Sequence, residues 1–284
     1  MQRRTLLSGL AALTALGAGR WTTGCSSAKP LVIGIHPWIG YETLYIARDL
    51  NFLPPDGRLR EGVSASDSLA TLEAGQIDGA CLTLDETLRA RAAGVPLTAV
   101  LVFDVSAGAD MVLARPEIQR LGDLVGKRLG VENGAVGAVV LRGMLQAAGL
   151  PDGALTLVDC PIDRQLAAWR DGAIDAVITY EPTASTLQHE GAVRLFDSRK
   201  MPDTIFDVLA VRRDRAAECG SVLRQLLSAH FRALAHIRTS RQDSIYRIAT
   251  HESISPSDVQ TALAGVALPS LAANRTYLTA CLSG

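Results

Sequence analysis

The chain has 284 residues, of which 48% are hydrophobic and 20% are charged. It can therefore bury a full core in one large domain or two lobes, and intrinsic disorder is excluded. The formal net charge is -1 and the pI is about 6.5, whereas a nucleic-acid-binding protein would carry a basic face. Composition thus predicts no nucleic-acid partner.

The N-terminal stretch, residues 1–25, has the pattern of a bacterial export signal. Arg3 and Arg4 precede a small, apolar segment over residues 6–18 that is too short to span a membrane comfortably. The sequence Thr23-Gly24-Cys25 resembles a lipobox, in which Cys25 becomes the lipidated first residue, and residues 26–30 read as a short tether. We expect an exported, membrane-anchored lipoprotein. Whether the twin-arginine or the general secretory route carries it stays open.

Strands and helices alternate through the first part of the chain. Helices are expected over residues 41–50, from Ser64 or Ser66 to Gly75, and from Asp85 to residue 93. The expected strands are continuous apolar runs, which indicates parallel strands covered on both faces and hence an α/β fold. These strands are residues 31–35, 59–63, 77–84, 97–103 and 111–114.

A second alternating block begins near Arg115. Helices are expected over residues 135–148 and 162–169 and after Pro182. From Arg215 onward the chain is almost wholly helical, with a 3.6-residue apolar period over residues 221–238. Because these helices have no strands of their own, we expect them to pack on the first block. The strands expected in the second block are residues 129–131, 155–160, 174–179, 193–196 and 205–212.

A repeat links the two blocks. Residues 69–78 and 166–175 share the pattern of a helix that ends at Gly, followed by Ile-Asp at the start of a strand. In both copies a Thr-x-acid sequence stands at the strand's carboxyl end, where ligands of open α/β sheets bind. A Thr or Asp at such a turn also serves simply as a helix cap. The candidate ligand contacts from this repeat are Thr83, Asp85, Thr179 and Glu181.

The turn after the first strand, His36-Pro37-Trp38-Ile39-Gly40-Tyr41, concentrates aromatic residues in a chain that is only 5% aromatic. It opens a helix, whose first N–H groups lack partners and point outward. Trp38 and Tyr41 would stack on a flat ligand or pack in the core. Loops at other strand ends supply further candidates. The remaining candidate ligand contacts are Trp38, Gly40, Tyr41, Ser106, Asp110, Glu132, Asn133 and Ala135.

In combination, these motifs resemble a known family. The matching segments are PWIGYETLYIARDLNFL from Pro37, LTLDETL from Leu82, LGDLVGKRLGVENGAVG from Leu121 and AIDAVITYEP from Ala173. Over residues 30–271 the chain resembles bacterial solute-binding proteins of the nitrate/sulfonate/taurine and thiamine-precursor type, which serve ABC transporters. The resemblance implies a type 2 periplasmic-binding-protein fold, in which two α/β lobes close on a ligand by hinge motion. Its lobes would be residues 31–113 with 206–284, and residues 114–205, joined by crossings at 110–115 and 202–208.

The resemblance also implies a small-molecule solute, ABC permease and ATPase subunits as partners, a monomer, no cofactor and no metal. No catalytic residue is predicted, because GxSxG, HExxH and GxxxxGK[ST] motifs are absent from the sequence. Two alternatives stay open. One is a binding protein that feeds a sensor kinase. The other is a pyrimidine-synthase-like enzyme of the same superfold, which an export signal and the lack of a Cys-rich iron motif disfavour.

The charge of the candidate site leaves two ligand classes. Four of the candidates are carboxylates and none is Lys or Arg, which suits a cation or a nitrogen-rich heterocycle. Neutral donors and helix ends would instead hold an anion such as a sulfonate or nitrate. Cys81 and Cys160 lie in apolar runs and are expected in the core. Pairing of Cys219 with Cys281 stays open.

Overall fold

The computed structural model describes residues 30–280. The predictions for the export signal, for Cys25 and for all of the tether but Pro30 therefore lie outside the described residues. The strands are β1 (Leu31–Ile35), β2 (Gly57–Glu61), β3 (Gly79–Thr83), β4 (Leu97–Ser106), β5 (Met111–Ala114), β6 (Arg128–Val131), β7 (Thr156–Asp159), β8 (Ala176–Thr179), β9 (Val193–Asp197), β10 (Phe206–Arg212) and β11 (Val266–Ala267).

The helices alternate with these strands until residue 212 and then follow one another. They are α1 (Glu42–Asp49), α2 (Ala65–Glu73), α3 (Leu84–Ala92), α4 (Gly137–Ala148), α5 (Ile162–Arg170), α6 (Thr183–His189), α7 (Arg213–Glu218), α8 (Gly220–Thr239), α9 (Arg241–Glu252), α10 (Pro256–Ala264) and α11 (Leu271–Ala280). Among the described helices, none has the length and apolar character needed to cross a membrane.

Two sheets divide the described chain into two lobes. Lobe 1 is built on a six-stranded sheet with the order β11-β4-β10-β3-β1-β2, and lobe 2 on a five-stranded sheet with the order β7-β6-β8-β5-β9. The two orders correspond strand for strand apart from the short β11. The two mixed sheets with their helices confirm the predicted α/β fold class.

The prediction of wholly parallel sheets is wrong in part. The trios β2-β1-β3 and β7-β6-β8 are parallel, but β10 runs antiparallel to β3 and β4, and β5 runs antiparallel to β8 and β9. Both exceptions are strands by which the chain enters one lobe from the other. Strands β5 and β10 both begin at the cleft and run away from it. The strands beside them run toward the cleft, so the pairing is antiparallel.

The predicted lobe boundary at residue 113 needs correction. Strand β5 pairs with β8 and β9, so Met111–Ala114 belongs to lobe 2. The first crossing is therefore residues 107–110, and the second is residues 201–205. Ser106 and Ser198 hold the crossings together: their Oγ atoms lie 2.7 Å apart, and Gly108 N donates to Ser198 Oγ at 2.6 Å.

The sequence repeat corresponds to one structural unit in each lobe. Helices α2 and α5 are each followed by a glycine with positive φ, Gly75 at 68° and Gly172 at 67°, which no L side chain adopts easily. Asp78 Oδ2 then accepts from Val32 N at 2.8 Å, and Asp175 Oδ2 accepts from Arg128 N at 2.9 Å. Asp78 thus ties the start of β3 to β1, and Asp175 ties the start of β8 to β6.

The C-terminal helices pack on lobe 1, as expected from their lack of strands. The apolar face of α8 joins α1 in the core, and α11 lies on β4. Buried Asn274 fixes this last contact, since its side chain accepts from Val102 N at 2.7 Å and donates to Val102 O at 3.0 Å. The lobe that contributes the aromatic turn is thereby completed only by the end of the chain.

Candidate functional site

A small cavity of about 20 Å³ lies between the lobes, at the carboxyl ends of β1 and β3. That volume admits roughly one water molecule, so the lobes are closed on each other. An organic solute enters only if the lobes separate. The lining residues are His36, Trp38, Ala65, Thr83, Glu86, Asp110, Ala135, Val136, Tyr180 and Asp207.

The aromatic turn supplies one wall through Trp38. The Trp38 indole Nε1 donates to Asp104 Oδ2 at 3.0 Å, and the ring meets Tyr180 of lobe 2 edge-on, with centroids 5.4 Å apart. Gly40 makes this arrangement possible, because a Cβ there would lie 1.7 Å from Asp104 Oδ2. Gly40 does not line the cavity; it allows the turn to approach a buried carboxylate.

Tyr41 acts through a second carboxylate. Its ring is buried in the lobe 1 core against Phe103, and its hydroxyl donates to Asp207 Oδ1 at 2.6 Å. The other oxygen of Asp207 is buried without a hydrogen-bond partner among the described residues. Tyr41 therefore positions Asp207 at the cavity, and the side chain predicted as a stacking surface is a core residue.

Three polar residues stand in a row across the lobe 1 sheet. In the strand register Asp207 is opposite Thr83 on one side and Asp104 on the other. Two like charges directly opposite on neighbouring strands destabilise a sheet. Burial raises the pKa of Asp104 to about 8 and raises the pKa of Asp207 well above its ordinary range. At neutral pH this pair therefore retains a proton unless a positive group is nearby.

Two further acids face the same cavity. Burial raises the pKa of Asp110 to about 6, and its Oδ2 has no hydrogen-bond partner within the described structure. Burial also raises the pKa of Glu86 to about 7, although the hydrogen bond that Glu86 accepts from Thr83 N at 2.8 Å acts to lower that pKa. The residues that line the cavity include no Lys or Arg. The site is rich in carboxyl groups and poor in positive charge.

Carboxylates also close the cleft. Glu86 of lobe 1 accepts from Val136 N at 3.0 Å, and Glu132 of lobe 2 accepts from Ser66 N at 2.9 Å. Both amides stand at the start of a helix, α4 and α2, where a bound anion would otherwise be favoured. The protein thus places its own carboxyl groups at the N-termini of α2 and α4, beside the cleft.

The prediction for Asp85 is not supported by the geometry. Thr83 is the N-cap of α3, and the capping box turns Glu86, not Asp85, back toward the strand end. Asp85 is partly exposed and pairs with Arg89 at 3.0 Å. The acid at the cavity is therefore the next residue along the chain.

Several other candidates lie near the cleft without lining the cavity. Ser106 joins the crossings, and Asn133 stands at the rim, where its carbonyl oxygen accepts from Ser66 Oγ at 3.3 Å. Thr179 is buried, and Glu181 accepts from Ser185 N at 3.0 Å and faces a separate cavity of about 540 Å³ beside the crossings. Of the candidates from the sequence, those that line the central cavity are Trp38, Thr83, Asp110 and Ala135.

Sequence reasoning left most of the acidic centre out of the predicted site. Asp104 and Asp207 interrupt apolar strands. An ionisable residue inside an apolar run is unusual, and this feature of the sequence could have marked both as site candidates. His36 also lines the cavity, where burial lowers its pKa to about 4 and keeps the ring neutral. Tyr180 closes the opposite wall, and its buried hydroxyl has no hydrogen-bond partner among the residues described.

Two lobes of matching strand order, two crossings and a polar cavity between them define a two-lobed α/β protein with a site between its lobes. The NMT1/THI5 like family model matches residues 43–243, and the chain belongs to that family. The taurine-binding periplasmic protein of Escherichia coli (strain K12) is 24% identical over 194 residues, which are 65% of this chain and 58% of that protein's length.

Solved structures with the same fold carry the type 2 periplasmic-binding arrangement. The alkanesulfonate-binding protein SsuA from Xanthomonas axonopodis pv. citri has a TM-score of 0.74 and 22% identity, over 87% of this chain and 89% of that one. The aliphatic sulphonate binding protein SsuA from Escherichia coli has a TM-score of 0.69 and 22% identity, over 85% and 86%. The desulfurization enzyme DSZB also matches, with a TM-score of 0.60 and 16% identity over 82% and 83%. The family and fold predictions are confirmed; fold alone does not separate binding from catalysis.

Proposed function

We propose that this protein is an extracytoplasmic solute-binding protein that captures a small solute between its lobes and delivers it to an ABC importer, without catalysing a reaction. Its family, its two-lobed fold and its periplasmic relatives support this role. The lipobox around Cys25 supports attachment to the membrane surface. A permease and an ATPase subunit are the corresponding partners.

We further propose that the solute is a cation or an N–H-rich heterocycle. The observation that carries this proposal is an unpartnered carboxylate oxygen on each of the cavity-lining residues Asp110 and Asp207, with no basic residue in the lining. A third unpartnered oxygen belongs to Asp104, on the strand next to Asp207. A protonated amine, an amidinium group or an aminopyrimidine edge would give these oxygens their missing donors. A sulfonate or nitrate has no hydrogen-bond donor for these oxygens and would also have to displace Glu86 and Glu132 from the helix N-termini.

The aromatic walls fit the same chemistry. Trp38 and Tyr180 approach from opposite lobes, so separation of the lobes would open a slot between two aromatic side chains. Such a slot favours a flat or positively charged group. Closure would then desolvate the cation against the acids, which strengthens each charge-assisted hydrogen bond.

A thermal-shift screen followed by calorimetry tests the ligand class. Amines, amidines and aminopyrimidines form one panel, and taurine, alkanesulfonates and nitrate form the other. We expect hits in the first panel only, since a ligand of the folded state raises the unfolding temperature by mass action. Asp207→Asn should weaken the best hit by at least about tenfold, the loss expected for a charge-assisted hydrogen bond. The control Asp171→Asn removes an exposed acid that does not line the cavity and should bind normally.

Hits confined to the anionic panel would overturn the ligand class while leaving the binding role intact. Mass spectrometry of the purified protein, before and after denaturation, tests the role itself. A small molecule recovered unchanged supports capture, whereas its conversion to a product would contradict a purely binding function. Neighbouring genes for a permease and an ATPase, rather than for a sensor kinase, would support delivery to an importer.

A further inference from the structure

A second cluster of ionisable side chains lies in lobe 1 where α1 and α9 meet, apart from the central cavity. Glu42 is the first residue of α1, and His251 and Glu252 are the last two residues of α9. His251 Nδ1 lies 2.7 Å from Glu42 Oε1 and 3.9 Å from Glu252 Oε1. One ligand atom from each of the three lies within 4.8 Å of the others.

The two carboxyl groups are buried, and one oxygen is unsatisfied. The side chains of Glu42 and Glu252 are 2% and 5% exposed, while that of His251 is 28% exposed. Glu252 Oε1 has no hydrogen-bond partner among the described residues. Burial raises the pKa of Glu42 to about 8 and that of Glu252 to about 9. Two buried carboxyls and one unpartnered oxygen form an arrangement that a positive ion would satisfy.

The nearest basic side chains do not supply this charge. Arg48 pairs with Asp49 and Glu61, and Arg247 pairs with Asp243. His251 borders an open groove of about 450 Å³, lined also by residues of α1 and α9. The groove provides a route for a hydrated ion from solvent and room for a water on the open side.

From this geometry we propose that Glu42, His251 and Glu252 form a binding site for a first-row divalent cation, of which Zn²⁺ is the best fit. One imidazole nitrogen and two carboxylate oxygens are ligands that Zn²⁺ accepts at about 2.0–2.2 Å, and the fourth tetrahedral position would be a water from the groove. The mixed nitrogen and oxygen set favours Zn²⁺ over Mg²⁺, which prefers oxygen ligands alone. The site would join the start of α1 to the end of α9.

Isothermal titration of chelator-treated protein, purified without a histidine tag, tests the site with ZnCl₂ and MgCl₂. We expect saturable one-to-one binding of Zn²⁺, a higher unfolding temperature in its presence, and no comparable effect of Mg²⁺. His251→Ala and Glu252→Gln should each weaken Zn²⁺ binding by at least about tenfold. Co²⁺ bound to the wild type should give visible absorption bands that His251→Ala abolishes.

The matched control is His236→Ala. His236 also contacts a carboxylate, with Nε2 lying 2.8 Å from Asp243 Oδ2, but it lies outside the three-residue cluster. This variant should bind Zn²⁺ like the wild type. If the wild type shows no saturable binding, or if His251→Ala binds equally well, the proposal is overturned. His251 is partly exposed, so its variant decides the question even if Glu252→Gln fails to fold.

Discussion

Asp104 and Asp207 are a pair of buried acids in the lobe 1 sheet, and Asp207 lines the cavity. They are opposite one another on neighbouring strands, and each places one oxygen on an aromatic donor, Trp38 or Tyr41. The sequence predicted the two aromatics as site residues but not the two acids. The aromatic donors could be predicted because they are concentrated in one short turn. Their carboxylate acceptors lie on distant strands and can be assigned only when the strand register is known.

The stability of the wild type should fall as pH rises through the titration of Asp104. Its pKa in the folded protein is about 8, above the ordinary value of 3.8. The folded state therefore holds more protons than the unfolded state between these values, and stability present at low pH is lost on the way to pH 8. Urea unfolding between about pH 5 and pH 8 should show a shallower decline for Asp104→Asn. An identical decline in both proteins would contradict this assignment.

Gly40→Ala should destabilise the protein by about 1–3 kcal/mol, the usual cost of overpacking a dense core. The new methyl group would overlap Asp104 Oδ2 and would also lie 2.6 Å from Trp38 Nε1. Gly122→Ala is the matched control, because its Cβ would meet nothing within 4 Å. Chemical unfolding measures both. Equal stability of the two variants would contradict the prediction and would show that the turn can move to accommodate a Cβ at residue 40.

At the scale of elements, periodicity and capping predicted where most helices and strands lie. Strand β1 was expected and is observed, and of the two caps considered for α2, Ser64 and Ser66, Ser64 is the one observed. An apolar run and an N-cap are both local signals. Strand direction is not local. Residues 206–212 form an apolar run whether they pair parallel or antiparallel, so the reversed direction of β10 could not be predicted from its composition.

Glu132→Ala should shift the protein toward an open arrangement of the lobes. The change removes the acceptor of Ser66 N at the start of α2, one of the contacts that cross the cleft. Small-angle X-ray scattering should show a larger radius of gyration, and the ligand should dissociate faster. Asn133→Ala is the control, because Asn133 contacts Ser66 through its backbone carbonyl, which the substitution keeps. An unchanged scattering profile for Glu132→Ala would argue against this role.

For the whole molecule, the motifs and their order predicted the family and the two-lobed fold. The residues of the site were harder to predict, because they come from four helices and strands of lobe 1 and from loops of both lobes. The repeat suggested that equivalent Thr-x-acid positions face each other. In the structure only Thr83 of these four residues lines the cavity. Asp85 is held by the Thr83 hydroxyl and by Arg89 outside the lining, and Glu181 lies beside the crossings.

The proposed membrane attachment is also tested at the scale of the whole molecule. We expect Cys25→Ser to move the exported protein from the membrane fraction to the soluble fraction, because a serine cannot receive the thioether-linked lipid. Fractionation of cells followed by a high-salt wash measures the change. Retention of the variant on washed membranes would show that Cys25 is not the anchor.

The position of β10 has a consequence for the order in which the chain assembles. Strand β10 separates β3 from β4 in the lobe 1 sheet, so that sheet stays in two pieces until residue 212 is available. The strands of lobe 2 are contiguous and are all available by residue 197. We therefore expect the lobe encoded second to complete its sheet first, the reverse of the usual N-terminal-first order. In a chain truncated after residue 205, amide exchange should protect lobe 2 while lobe 1 exchanges freely.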